Sequence, residues 1–198
     1  MPKLLEFFFD FTSPAAYLAW TQLDGLAERT GAQIVWKPML FGAVLKEAGN
    51  KANIEVPAKA AYTIMDMKRC ADHLSVPFVW PAEFPVNSVP LLRGCFVAGE
   101  DKVFHDYVPA IWRAIWVDGK NLNDIAVLHG VLGDIGLDAP AFLEKCKAED
   151  VKETLRVHTA EAVKRGVFGA PTFFINGDEM FWGHDRLPYI ERALENLS

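Results

Sequence analysis

Apolar positions along the chain change their spacing twice, and the changes divide it into three stretches. The first run, Leu4-Leu5-Glu6-Phe7-Phe8-Phe9, is too short for a helix and breaks at Asp10-Phe11-Thr12-Ser13-Pro14, so it predicts a buried strand. From Pro14 onward Ala16, Ala19, Leu23, Leu26 and Ala27 recur at helical spacing as far as Thr30-Gly31. Ser13 stands where an N-cap belongs, since its hydroxyl can accept from a free first-turn N–H, and Pro14 has no N–H to leave unpaired. Ala32 to Lys37, with Ile34 and Trp36 on one face, predicts a second strand closed by Pro38. The result is a beta-alpha-beta unit whose parallel crossover is expected to be right-handed.

From about Phe41 to Gly166 strand alternation disappears and helical spacing takes over, which implies an inserted helical subdomain. Ala60, Ile64, Met67, Ala71 and Leu74 form one stripe, and Phe104, Val108, Ile111 and Ile115 another. Further helices are expected over about Ser88 to Val97 and Asp124 to Leu132, with a short one capped by Asp138. A last one carries Val151, Leu155, Ala162 and Val163 and ends at Lys164-Arg165-Gly166. Phe41 to Pro57 and Pro77 to Pro90 read as irregular loops. After Gly166 two strand-like runs, Thr172 to Ile175 and Asp178 to Trp182, flank Asn176-Gly177, a pair suited to a tight hairpin turn. Asp185 is then expected to N-cap a closing helix with the stripe Leu187, Ile190, Leu194 and Leu197.

Composition narrows the function classes. A chain of 198 residues with 51% hydrophobic and 23% charged residues can bury a sizeable core. Its net charge of −6 disfavours nucleic acid or an anionic membrane as a partner held by bulk electrostatics. No apolar run approaches the roughly 20 residues of a membrane-spanning helix, and Met1-Pro2-Lys3 leads straight into the first strand without a signal peptide, so a cytoplasmic protein is expected. Cys70, Cys95 and Cys146 form no C-x-x-C pair, which argues for free buried thiols rather than disulfides or zinc. His73, His105, His129 and His158 show no ligand-like spacing and read as structural or surface residues; no metal is implied. Trp80, Trp112, Trp116 and Tyr62 read as packing residues, some able to line an aromatic pocket.

Split beta-alpha-beta and beta-beta-alpha halves are the two parts of a thioredoxin-like α/β fold, here 1–40 with 167–198, interrupted by the helical subdomain 41–166. Four stretches sharpen the likeness: Phe8 to Leu18, Ala48-Gly49-Asn50-Lys51, Val167 to Thr172, and Phe181-Trp182-Gly183-His184-Asp185-Arg186-Leu187. In order and spacing across the whole chain, they resemble the 2-hydroxychromene-2-carboxylate isomerase family. That family is akin to the kappa class of glutathione transferases and to bacterial disulfide oxidoreductases with the same insertion. Thr12 stands where related sequences often carry an apolar residue, Ala170 where Val or Leu is commoner, and His184 where Asn or Ser is.

The resemblance implies glutathione as cofactor, a small aromatic substrate and a homodimer. Ser13 occupies the place where this fold usually offers a nucleophilic cysteine. A serine there cannot exchange disulfides, but in the family it hydrogen-bonds the glutathione sulfur, while a plain N-cap role is also open. Holding the sulfur as thiolate is physically reasonable: lowering a thiol pKa by about two units takes about 2.7 kcal/mol. A helix N-terminus contributes about 0.3–2 kcal/mol and a hydrogen bond to a charged acceptor about 1.5–3. Pro171 would be trans on sequence alone, but is cis by the resemblance, which turns the Ala170 backbone toward the cysteinyl part of glutathione. His184 and Asp185 mark the corner that receives the gamma-glutamyl end; Asn50 and Lys59 match positions near the glutathione, with Lys59 suited to the glycyl carboxylate. The activity implied is glutathione-dependent interconversion of a chromene carboxylate and its open benzylidenepyruvate form. A kappa-like transferase or peroxidase, or a non-catalytic glutathione-binding protein, are the alternatives.

Overall fold

The computed structural model describes residues 3–197; Met1 and Pro2, part of the N-terminal reading above, lie outside it. Strand β1 (Leu4–Phe9) is the hub of a four-stranded sheet. It pairs in parallel with β2 (Gln33–Pro38) and antiparallel with β3 (Thr172–Ile175), which pairs antiparallel with β4 (Glu179–Trp182), giving the order β2-β1-β3-β4. Because a strand alternates its side chains, Leu5, Phe7 and Phe9 enter the larger core while Phe8 enters a smaller one on the opposite face with Phe174. Phe7 stacks on Phe9 and Phe173, with ring centroids 5.0 and 5.2 Å apart. The parallel β1–β2 pair requires a crossover, supplied by α1 (Pro14–Thr30). Gly31 ends that helix at φ 71°, a left-handed geometry open to glycine, and its N–H bonds the Ala27 carbonyl at 2.8 Å.

Between β2 and β3 lie α2 (Phe41–Glu47), α3 (Pro57–Leu74), α4 (Ser88–Glu100), α5 (Phe104–Trp116), α6 (Ile125–Asp134), α7 (Ala139–Lys145) and α8 (Glu149–Lys164); α9 (Leu187–Glu195) closes the chain. Trp112 and Trp116 of α5 are buried against the end of β1, with the Trp116 Nε1–H donating to the Phe11 carbonyl at 2.9 Å. Val44 of α2 and Ala162 of α8 cover Phe8 on the other face. Among the described residues no single helix is long and apolar enough to cross a membrane.

Three local expectations are corrected. Phe41–Glu47 is a helix, not loop, and Asn53–Glu55 is a 3₁₀ turn. The helix has no side-chain cap and is too short to show periodicity; tertiary bonds start it, from Phe41 N–H to Asp10 Oδ2 at 2.9 Å and from Leu40 N–H to Thr159 Oγ1 at 3.0 Å. Asp185 does not N-cap α9. The chain turns helical at His184, placing Asp185 inside a 3₁₀ turn, whereas an N-cap must be non-helical. The α3 stripe is only partly used, with Met67 and Ala71 buried but Ile64 exposed, and Tyr62 on the same helix, expected to pack, is 56% exposed. All three cysteines are free; Cys95 and Cys146 are buried, while Cys70 is half-buried.

Candidate active site

The β1–α1 turn assembles the site. Ser13 has extended dihedrals (φ −92°, ψ 111°) and its Oγ accepts from the Ala16 N–H at 3.1 Å, the expected cap. The same hydroxyl donates to the Ala170 carbonyl at 2.9 Å, joining the helix start to a segment 157 residues away; Ser13 is 3% exposed. The Ala170-Pro171 bond is cis, as is Phe84-Pro85, for which nothing in the sequence reading prepared. Among the described residues the Ala170 N–H donates to no partner, in a residue that is 9% exposed. The Pro171 carbonyl accepts from Gly183 N–H at 3.0 Å and Thr172 Oγ1 donates to the Gly169 carbonyl at 2.7 Å, so the loop is braced on both sides.

The remaining predicted residues gather around this loop to different degrees. Asn50 Nδ2 approaches the Phe168 carbonyl at 3.4 Å, which brings the end of α2 beside the loop. Gly183, bonded to Pro171, leads into His184 and Asp185. At φ 107° Gly183 is geometry open to glycine, and a Cβ there would lie 2.6 Å from Asp185 Oδ1. Burial pushes the His184 imidazole below its ordinary range, against the pull of Asp185 and of Asp66 on α3. Asp185 is exposed, and its Oδ2 accepts from Arg186 Nη1 at 2.8 Å. Lys59 is exposed in the first turn of α3, and no hydrogen bond or ion pair among the described residues joins it to the others. A cavity of about 640 Å³ opens between α1, α5 and α6 beside Trp20 and Arg113, but none of these site residues lines it.

Two features escaped the sequence reading. Asp10 is 1% exposed and takes four hydrogen bonds on its carboxylate; the available signal was a lone acid between Phe9 and Phe11 at a strand end. Trp182, 49% exposed, packs on Phe168 with ring centroids 5.0 Å apart, and its indole occupies the space a Cβ on Gly169 would need.

Chemically, the cluster offers one hydroxyl, the open end of a 17-residue helix and a backbone N–H without a partner among the described residues. Such donors favour an extended, anionic ligand. Turning the Ser13 O–H from the Ala170 carbonyl toward an anion exchanges a neutral hydrogen bond for a charge-assisted one, roughly twice as strong.

The fold and this helix-start, proline-loop site define the class: residues 4–195 match the DsbA-like thioredoxin domain. The chain is 36% identical to 2-hydroxychromene-2-carboxylate isomerase of Sphingobium xenophagum, over 98% of this chain and 99% of that protein. A solved structure of 2-hydroxychromene-2-carboxylate isomerase superposes with a TM-score of 0.88 at 32% identity, over 98% of this chain and 95% of that one. Human glutathione S-transferase kappa 1 is more distant, at 24% identity over 98% of this chain and 92% of its own. The chain belongs to the 2-hydroxychromene-2-carboxylate isomerase family.

Proposed function

We propose that this protein is a glutathione-dependent isomerase acting on 2-hydroxychromene-2-carboxylate or a closely related aromatic compound. The observation that carries the reading is the junction of Ser13 Oγ with Ala170, beside the cis Pro171 and at the start of α1, in a chain that belongs to this family. The residues fit glutathione. The unpartnered Ala170 N–H suits the cysteinyl backbone, Ser13 the sulfur, Asp185 with His184 the gamma-glutamyl end, and Asn50 with Lys59 the glycyl end. When bound, glutathione supplies a sulfur nucleophile that can add reversibly to a conjugated double bond and so allow rotation about it.

The chain's own part is to hold and orient. Ser13 donates its proton toward the sulfur while its lone pair keeps the Ala16 N–H capped. The α1 N-terminus favours negative charge there. Ala170 and Asn50 fix one reactant along the loop, so that the second meets it in a set orientation, a form of catalysis able to supply several kcal/mol. The same reading carries residues 1–40 with 167–198 as the thioredoxin-like part, 41–166 as the insertion, a cytoplasmic address, a homodimer and a place in aromatic catabolism.

The test is conversion of 2-hydroxychromene-2-carboxylate, followed by ultraviolet spectrum, with and without glutathione. Conversion that requires glutathione and leaves it unchanged supports the isomerase. A stable thioether product moves the assignment to the kappa-like transferase, and binding of glutathione with neither outcome leaves a non-catalytic binding protein.

A further inference from the structure

Asp10 is a buried acid that no step above uses. Its two oxygens are fully engaged: Oδ1 accepts from the Thr12 N–H and from Thr12 Oγ1, both at 2.9 Å, and Oδ2 from the Phe41 N–H at 2.9 Å and from Ser88 Oγ at 3.0 Å. Its own carbonyl accepts from the Ser13 N–H at 3.0 Å. Three separate elements therefore converge on one residue. Thr12 and Ser13 belong to the turn that presents the hydroxyl, Phe41 begins α2, and Ser88 begins α4. Beyond α2 the chain reaches Asn50, which touches the Phe168 carbonyl on the proline loop.

We propose that Asp10 is a positioning residue of this site: its carboxylate orients the Ser13 turn and ties it to the start of α2, fixing Ser13 Oγ relative to the wall that carries Asn50. The inference rests on the reading of Ser13 and Asn50 as site residues. A buried carboxylate with four donors is costly to assemble for stability alone, since an apolar residue would need none of them. Its value lies in geometry: each oxygen holds one backbone N–H and one hydroxyl, so neither the turn nor the helix start can shift without losing a bond. Asparagine has the same shape but fails in either orientation. Each oxygen faces a backbone N–H, which can only donate, so the amide NH₂ must oppose either Thr12 or Phe41.

The test compares Asp10→Asn, Ser88→Ala and Thr12→Val in the full chain by amide hydrogen exchange and by calorimetric titration with glutathione, alongside turnover. For Asp10→Asn the expected result is faster exchange at Ser13 and Phe41, and a loss of about 100-fold in kcat/KM, the scale of a misplacement near 1 Å. Ser88→Ala and Thr12→Val each remove a single hydroxyl and keep both backbone bonds, so they should lose less but in the same readouts. A merely structural residue would lower the melting temperature and leave the folded protein's glutathione affinity and Ser13 exchange unchanged; that outcome overturns the proposal. If Asp10→Asn does not fold, the two hydroxyl variants decide in its place, and unchanged exchange and affinity in both refutes it. If the wild-type protein binds no glutathione, the functional reading falls instead, and the exchange at Ser13 and Phe41 alone decides the role of Asp10.

Discussion

Replacing Ser13 by alanine separates what the hydroxyl does for the fold from what it does for chemistry. Two bonds are lost at once. The cap to Ala16 is worth about 0.5–2 kcal/mol, and the Ala170 carbonyl, buried and deprived of its donor, costs about 1–3 kcal/mol. With an unfolding entropy of about 2.1 cal/mol/K per residue over this chain, a combined loss of roughly 2–4 kcal/mol lowers the melting temperature by about 5–10 °C. Ser13→Gly should lose less stability, because glycine caps within a few tenths of a kcal/mol of serine. For a bound thiol the two variants should agree. Without the hydroxyl only the helix terminus remains, about 0.3–2 kcal/mol, so the sulfur titrates within about 1.5 units of an ordinary thiol near pKa 8.5. Thermal unfolding by circular dichroism measures the first effect, and thiolate absorbance of bound glutathione against pH the second. A melting temperature unchanged in Ser13→Ala would refute the bond accounting. A bound sulfur that titrates alike in wild type and both variants would refute the role of the hydroxyl.

Two further substitutions probe other parts of the argument. His158 packs edge-on against Phe96 with its Nδ1 buried and unpartnered, and burial pushes its imidazole below the ordinary range. The unfolded chain then binds a proton that the folded chain resists, so this contribution is whole above pH of about 6.5 and is lost as pH falls below it. Denaturant unfolding at several pH values should show a shallower acid decline in His158→Gln than in wild type, and equal slopes would contradict the assignment. Gly94 of α4 faces the Tyr107 hydroxyl, which donates to the Leu91 carbonyl at 2.8 Å, and a Cβ would collide with that ring and press on Phe142. Gly94→Ala should therefore destabilise by about 1–3 kcal/mol despite alanine's helix propensity; a more stable variant would show that the ring can move aside.

Much of this architecture is written in local patterns. The Phe-rich first strand, Ser13-Pro14 with Gly31 around α1, and Asn176-Gly177 in the hairpin each state their conformation within a few residues. What failed to show is what depends on distant partners. The short helix α2 starts because Asp10 and Thr159 receive its first N–H groups, and no periodicity over seven residues could reveal them. Asp185 looked like a cap because the residue type fits, while the turn begins earlier, at Gly183, whose φ of 107° a sequence does not display. In the site, Ser13 was legible as a cap on local grounds, while a role for its hydroxyl toward glutathione came only from the family resemblance and stands as a proposal. Its bond to Ala170 and the grip of Asp10 belong to the assembled fold.

The register of the sheet bears on when the site can exist at all. Leu5 lies opposite Ile175, and Ser13 finds its acceptor at Ala170, so the central strand meets its second neighbour only across most of the chain. On a ribosome, β1, α1 and β2 emerge together and can associate early, but the central strand keeps an open edge until the last thirty or so residues have been made. During that interval the α1 terminus has its cap and lacks its cross-link. Contacts of such long sequence separation are slow to form and leave strand edges available for mispairing. A lesion in the β3–β4 hairpin, far from Ser13 along the chain, would therefore act first on nascent protein, reducing yield before it reduced turnover.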